Sequence, residues 1–226
     1  MTPTPVRVPV ESFVLHGDLS VPAHPYGIIL FAHGSGSSRH SPRNQFVASA
    51  LQQRGFATLL IDLLTPEEED IDRRTAHLRF DIGLLARRLV AIMEWMSQRP
   101  DTASLPVGLF GASTGGGAAL VAAASHPGAV AAVVSRGGRP DLAGPVLSRV
   151  TAPTLLIVGG DDTAVIAMNR DAMSRMRGNV VLEIVPGATH LFEEPGALEH
   201  VAALAGDWFA RHLVAHAGEP AKGTPA

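Results

Sequence analysis

From residue 27 onward, short continuous apolar runs alternate with longer stretches whose apolar residues recur every three or four positions. The runs at 27–32, 57–61, 105–110, 129–134, 154–158 and 180–185 carry the mark of strands buried on both faces. Between and after them the spacing predicts helices over 42–54 (stopped by Gly55), 80–99, 116–125, a short one near 142–149, 165–176 and 196–216. In the helix over 80–99, Phe80, Leu84, Leu85, Leu89, Ile92, Met93 and Met96 fall on one face, while Arg87, Arg88 and Gln98 fall away from it. The last helix turns Val201, Leu204, Trp208, Phe209 and Leu213 inward. Before residue 27, the stretches 7–10 and 13–21 read as two strands joined near Glu11-Ser12. The stretch 63–78 reads as irregular, with its acidic run at 67–70 a solvated loop or helix start.

Strand alternating with helix implies an α/β fold: a mostly parallel, doubly wound sheet with helices on both faces. One domain is expected over 1–216, followed by a Gly/Pro/Ala-rich tail, 217–226, expected to be disordered. In such sheets chemistry gathers outside the C-terminal ends of the strands, in the loops that leave them.

Composition narrows the classes further. With 18 basic and 21 acidic side chains the net charge is −3, and no basic cluster suggests a nucleic-acid or anionic-membrane partner. The absence of cysteine excludes disulfides and thiolate metal sites. No histidine pair has metal-ligand spacing with a carboxylate, so neither metal nor cofactor is expected. The start, Met1-Thr2-Pro3-Thr4-Pro5, shows neither the basic nor the apolar region of a secretory signal, and the expected location is cytoplasmic. The longest apolar stretch, 117–134, is broken by Ser125-His126-Pro127-Gly128, too early for a membrane span.

Gly111-Ala112-Ser113-Thr114-Gly115 joins an expected strand to an expected helix. Glycines two places either side of the serine let strand and helix approach, and the corner lifts the Ser113 hydroxyl to a helix N-terminus. A serine needs a base to take its proton, and the base needs a carboxylate to fix its tautomer. Two further strand-end loops hold such groups: Asp161 and Asp162 in one, His190 in the other. Asp161 and Asp162 are both candidates for the carboxylate, with Asp141 a third. The chain order is Ser, Asp, His.

On these residues the chain resembles the α/β-hydrolase superfamily, and within it the small, cap-less dienelactone hydrolase-like branch. The resemblance spans about residues 6–213. It rests on Gly111 to Gly116, on Gly160-Asp161-Asp162 and on Gly187-Ala188-Thr189-His190-Leu191-Phe192. It implies the α/β-hydrolase fold without a cap domain, a triad of Ser113, Asp162 and His190, and an oxyanion hole made by the backbone N–H groups of Ser35 and Thr114. His33 is expected to hold the glycine-rich loop. Dienelactone hydrolases proper carry cysteine where this chain has Ser113, and a glutamate after the strand that here ends at His33; this chain has none there. The implied activity is therefore a serine esterase acting on small carboxylic esters through an acyl-enzyme. Lactone hydrolysis and acyl transfer or perhydrolysis are its enzymatic alternatives, and a catalytically silent binding protein the non-enzymatic one.

Arg39, Arg43, Arg136 and Arg139 all fall in loops at the catalytic end. Arg39 and Arg136 are candidates to bind an ester bearing a carboxylate or phosphate. The competing expectation is structural pairing, for example of Arg136 with Asp62 or Asp141. With only residues 135–153 between two strands for a cap, the site should be open, lidded at most by the stretch 63–78.

Overall fold

The computed structural model describes residues 2–214; the expected disordered tail lies outside the described residues. Eight strands form one sheet: β1 (Thr4–Val10), β2 (Phe13–Ser20), β3 (Ile28–Ala32), β4 (Ala57–Ile61), β5 (Val107–Ala112), β6 (Ala132–Arg136), β7 (Thr154–Gly159) and β8 (Val180–Val185). Their order is β1-β2-β4-β3-β5-β6-β7-β8. β2 runs antiparallel to both β1 and β4, and every pairing from β4 to β8 is parallel. β3, β4, β6 and β7 are buried along their whole length, as continuous apolar runs require.

Among the described residues six α-helices cover the sheet: α1 (Pro42–Gln53), α2 (Pro66–Thr75), α3 (Ile82–Ser97), α4 (Thr114–Ser125), α5 (Thr163–Arg175) and α6 (Ala197–Leu213). Alternate strand residues feed two cores. One packs Leu30, Leu59, Leu109 and Val133 against α3 and α4; the other packs Phe31, Phe110 and Val134 against α1 and α6. This is an α/β-hydrolase fold, mostly parallel with helices on both faces. Between β6 and β7 lies only a 3-10 segment, Pro140–Arg149, bent at Gly144 and Pro145, where a short helix was expected. There is no cap among the described residues. No described helix is long and apolar enough to cross a membrane.

Three departures from the sequence expectation matter for the site. The stretch 63–78 is not irregular: Thr65 caps α2, its hydroxyl accepting from Glu68 N–H while the Glu68 carboxylate accepts from Thr65 N–H. Arg88 does not point away from the core. It is buried, its guanidinium bonded twice to Glu68 and set 4.6 Å over the Phe13 ring, because α2 supplies the carboxylate that a periodicity argument cannot see. Phe80 stays half-exposed, since Asp81 caps α3 one position later and leaves Phe80 in a separate 3-10 turn.

Candidate active site

The nucleophile corner is built by backbone contact. Ser113 has φ 50° and ψ −121°, a strained conformation for a residue with a Cβ. It is tolerated because β5 and α4 meet without side chains: a Cβ on Gly111 would lie 2.5 Å from the Gly115 carbonyl oxygen, and one on Gly115 would lie 2.2 Å from that of Ala32. The corner is further pinned by Ser113 N–H donating to the Arg136 carbonyl (3.3 Å) and by Arg139 N–H donating to the Ser113 carbonyl (3.0 Å).

The expected oxyanion residues flank it. A Cβ on Gly34 would stand 2.9 Å from the Ser113 Cβ, so the loop after β3 lies directly against the nucleophile. Ser35 Oγ and Thr114 Oγ1 are 3.2 Å apart, tying the two sides together. The turn bonds around them fall to other residues: Ser37 N–H takes the Gly34 carbonyl and Gly116 N–H takes the Ser113 carbonyl. His33 is structural, as expected. Its Nε2 accepts from Leu63 N–H (2.9 Å), which leaves the proton on Nδ1, 3.0 Å from the Gly34 carbonyl.

His190 Nδ1 and Asp162 Oδ2 are 2.6 Å apart. Asp162 stands at the N-cap position of α5 but does not cap it; its carboxylate is turned to the imidazole instead. Asp161 is exposed, and its N–H ties the acid loop to the histidine loop through the Ala188 carbonyl (3.0 Å). Between the described residues no hydrogen bond joins the His190 ring to the Ser113 hydroxyl. They are linked instead through one short segment, residues 136–139. This segment makes two of the backbone bonds of Ser113, and a Cβ on its Gly137 would lie 3.5 Å from the His190 ring. Catalytic contacts are often long before substrate binds.

The arginines divide. Arg39 is held by Asp62 and Asp18, and its own N–H donates to Asp62 (2.7 Å). Arg139 forms a two-bond pair with Asp141 (2.8 and 2.7 Å), whose approach raises the pKa of the guanidinium. The expected pairing of Arg136 with Asp62 or Asp141 does not occur, because those carboxylates are already taken. Arg136 is instead buried under α1 beside Asn44.

Sequence reasoning missed α2 and Arg79. Together with residues 35–43 they line a cleft of about 810 Å³ that Ser35 and Gly36 border. Arg79 Nε and Nη2 hold Asp72, while Nη1 comes within 3.7 Å of where a Gly36 Cβ would stand. The capping box at Thr65 and Glu68 was the available signal for α2.

The Dienelactone hydrolase family pattern matches residues 16–213. The crystal structure of a dienelactone hydrolase from Anabaena variabilis is 62% identical, with a TM-score of 0.91, covering 94% of this chain and 99% of that one. The esterase domain of a Rhodothermus marinus protein shares the fold at 21% identity and TM-score 0.72, covering 94% of this chain and 100% of that one. Two curated Mycobacterium tuberculosis proteins, provisionally named phosphoribosyl transferases, are 64% identical over 208 residues, 92% of this chain. The match covers 46% of their own length, so the chain spans about half of those relatives. The match over almost all of β2 to α6, together with the Anabaena structure, makes the chain a member of the dienelactone hydrolase family, with the hydrolase fold that membership carries.

Proposed function

We propose that the chain is a serine esterase that cleaves small carboxylic esters through an acyl-enzyme on Ser113. The observation that carries the reading is the 2.6 Å contact between His190 Nδ1 and Asp162 Oδ2. With the proton held on Nδ1 by the carboxylate, Nε2 keeps its lone pair and can serve as the base. Nε2 takes the Ser113 hydroxyl proton as Oγ attacks the ester carbonyl. The tetrahedral oxyanion is met by the N–H groups of Ser35 and Thr114. Collapse expels the alkoxide, which receives the proton from His190. Water then repeats the sequence, losing its proton to Nε2 as it attacks the acyl-enzyme, and the carboxylic acid leaves with Ser113 reprotonated. Lactones would react by the same steps, and a competing acceptor in place of water would give acyl transfer or perhydrolysis.

The strained conformation at Ser113 supports the reading, since such strain persists where the surroundings enforce it and clusters at reactive positions. The transferase name belongs to the longer relatives; for the half represented here we assign hydrolysis. A small-molecule ester is the partner, and the cytoplasm the compartment, that accompany this assignment.

The test is turnover of p-nitrophenyl acetate by the wild type and Ser113→Ala, with fluorophosphonate labelling mapped by peptide. Label on Ser113 with turnover lost in the variant is expected. A wild type no faster than the variant, and unlabelled, makes the chain a silent binding protein.

A further inference from the structure

Arg136 is an anomaly of the catalytic rim. It ends β6, is Cα-paired with Ala112 on β5, and its carbonyl accepts from Ser113 N–H. Alternation along β6 places it on the same face as Ala132 and Val134, which pack against α1 and α6. Its side chain therefore runs beneath the first turn of α1, where Nη2 donates to Asn44 Oδ1 at 3.5 Å. The residue is only 7% exposed, yet it makes no ion pair among the described residues. Nε and Nη1 are buried and meet no acceptor of the protein.

The nearest charge is of the wrong sign for a structural pair. Arg43, the neighbour of Asn44 in α1, acts on Arg136 as a second cation. Burial and then this repulsion lower the Arg136 pKa to about 10, which still leaves it charged at neutral pH. Arg43 also has a buried Nε without an acceptor. Its Nη1 reaches the exposed Glu193 (2.9 Å), while the neighbouring Glu194 is turned to the Thr189 hydroxyl (2.6 Å) and pairs with neither arginine. Arg43 lines the cleft that Ser35 and Gly36 of the oxyanion loop also border.

Two guanidinium groups with three unmet donor nitrogens, and only the exposed Glu193 on Arg43 to offset their charge, describe a receptor for an anion. One guanidinium fork already saturates a carboxylate. Two forks with two positive charges match a phosphate monoester, which presents three terminal oxygens and nearly two negative charges. We propose that Arg136 and Arg43 bind a phosphate monoester group carried by the substrate. The inference rests on the esterase reading for the word substrate; the anion site itself rests on the two arginines.

Two measurements separate these. The first is calorimetric titration of the whole chain with inorganic phosphate, against acetate at equal ionic strength, for the wild type, Arg43→Gln and Arg136→Gln. Phosphate binding that acetate does not reproduce, weakened about tenfold or more in each variant, is expected. Arg43 is partly exposed, so Arg43→Gln decides the matter if Arg136→Gln does not fold. The second measures kcat/KM for 4-nitrophenyl and alkyl ester pairs in which the acyl chain, or the alcohol, ends in phosphate or in a hydroxyl at equal length. A preference for phosphate of about tenfold or more, carried by KM and collapsing toward unity in Arg43→Gln, is expected; taking the ratio within each variant cancels any change in basal rate. No phosphate binding, or binding unchanged in Arg43→Gln, overturns the site. Arginine-dependent binding with no ester preference overturns its assignment to substrate. Absence of any ester turnover overturns the hydrolase reading and leaves the titration to judge the site.

Discussion

The two sides of the Ser113 corner are held together by different forces. On one side the β5–α4 corner, the 136–139 segment and the loops after β7 and β8 are joined by main-chain bonds and by glycines at closest approach. On the other side α2 is hung on ion pairs: Glu68 with Arg88, Asp72 with Arg79, and below them Arg39 with Asp62. The first arrangement depends on shape and leaves little freedom of geometry. The second depends on charge state and can be released by acid or by one neutralised partner. An enzyme that must fix its reacting groups while leaving room for substrates to vary would divide its forces in this way.

Substitutions can break the comparison or sharpen it. The largest effect is expected from Ser113→Ala, which should lower kcat for p-nitrophenyl acetate by a factor on the order of 10⁴ or more with little change in melting temperature. Asp162→Asn should keep the fold and lower kcat by roughly 10²- to 10⁴-fold, because an amide no longer selects the imidazole tautomer. If it has the rate of the wild type, Asp162 is a loop residue and the shape-held side has no chemistry.

Gly115→Ala tests that side directly. A methyl there meets the Ala32 carbonyl, and a stability loss of about 3 kcal/mol in urea melts is expected, with activity falling in parallel. Arg88→Met tests the other side. Removing the partner of Glu68 should cost about 2 kcal/mol, discounted from a fully buried pair because Glu68 is 25% exposed.

Acid should act on the same contacts. Burial alone would raise the pKa of both Glu68 and Asp72. For Glu68, the bonds from Arg88 and Thr65 outweigh it; for Asp72, those from Arg79 and Leu78 do so, and both carboxyls end below their ordinary values. Depressed carboxyls contribute stability that is complete above the unfolded values of 4.5 and 3.8 and is lost as pH falls through the lower folded ones. Melting temperature should therefore drop below pH 4.5, and drop less in Arg88→Met, where one of the two contributions is already gone. A variant with the same acid dependence as the wild type would detach that dependence from α2. The smallest effect is expected from Arg39→Gln: this arginine is already committed to Asp62 and Asp18, and kcat/KM for a neutral ester should change by less than about threefold.

The same division decided what could be read along the chain. The strand run 57–61 coincides with β4, because burial on both faces leaves a local mark in composition; 180–185 coincides with β8, although that edge strand is only partly buried and not covered on both faces as its apolar run suggested. The strand after α4 is displaced: β6 starts at Ala132 and extends to Arg136, and a charged residue at a strand end gives no apolar signal to follow. Asp162 could be ranked above Asp161 only by the likeness of its offset to the family position, and its carboxylate is the one beside His190. Arg88 was misplaced for a different reason. Periodicity reports which face a residue occupies within its own helix, and says nothing of a carboxylate delivered from α2.

The sequence by itself determined the alternation of buried strands and covering helices, the order of Ser113, Asp162 and His190, and the corner that strains the serine. These are local properties: apolar spacing, glycine placement and the choice of side chain at a strand end. Only the tertiary structure decided which arginine meets which carboxylate. It gave Asp62 to Arg39 and Asp141 to Arg139, and left Arg136 charged under α1 with Arg43 for a neighbour. Charge pairing acts across any distance in the chain once folding brings groups together, and so it leaves no period in the sequence to be read.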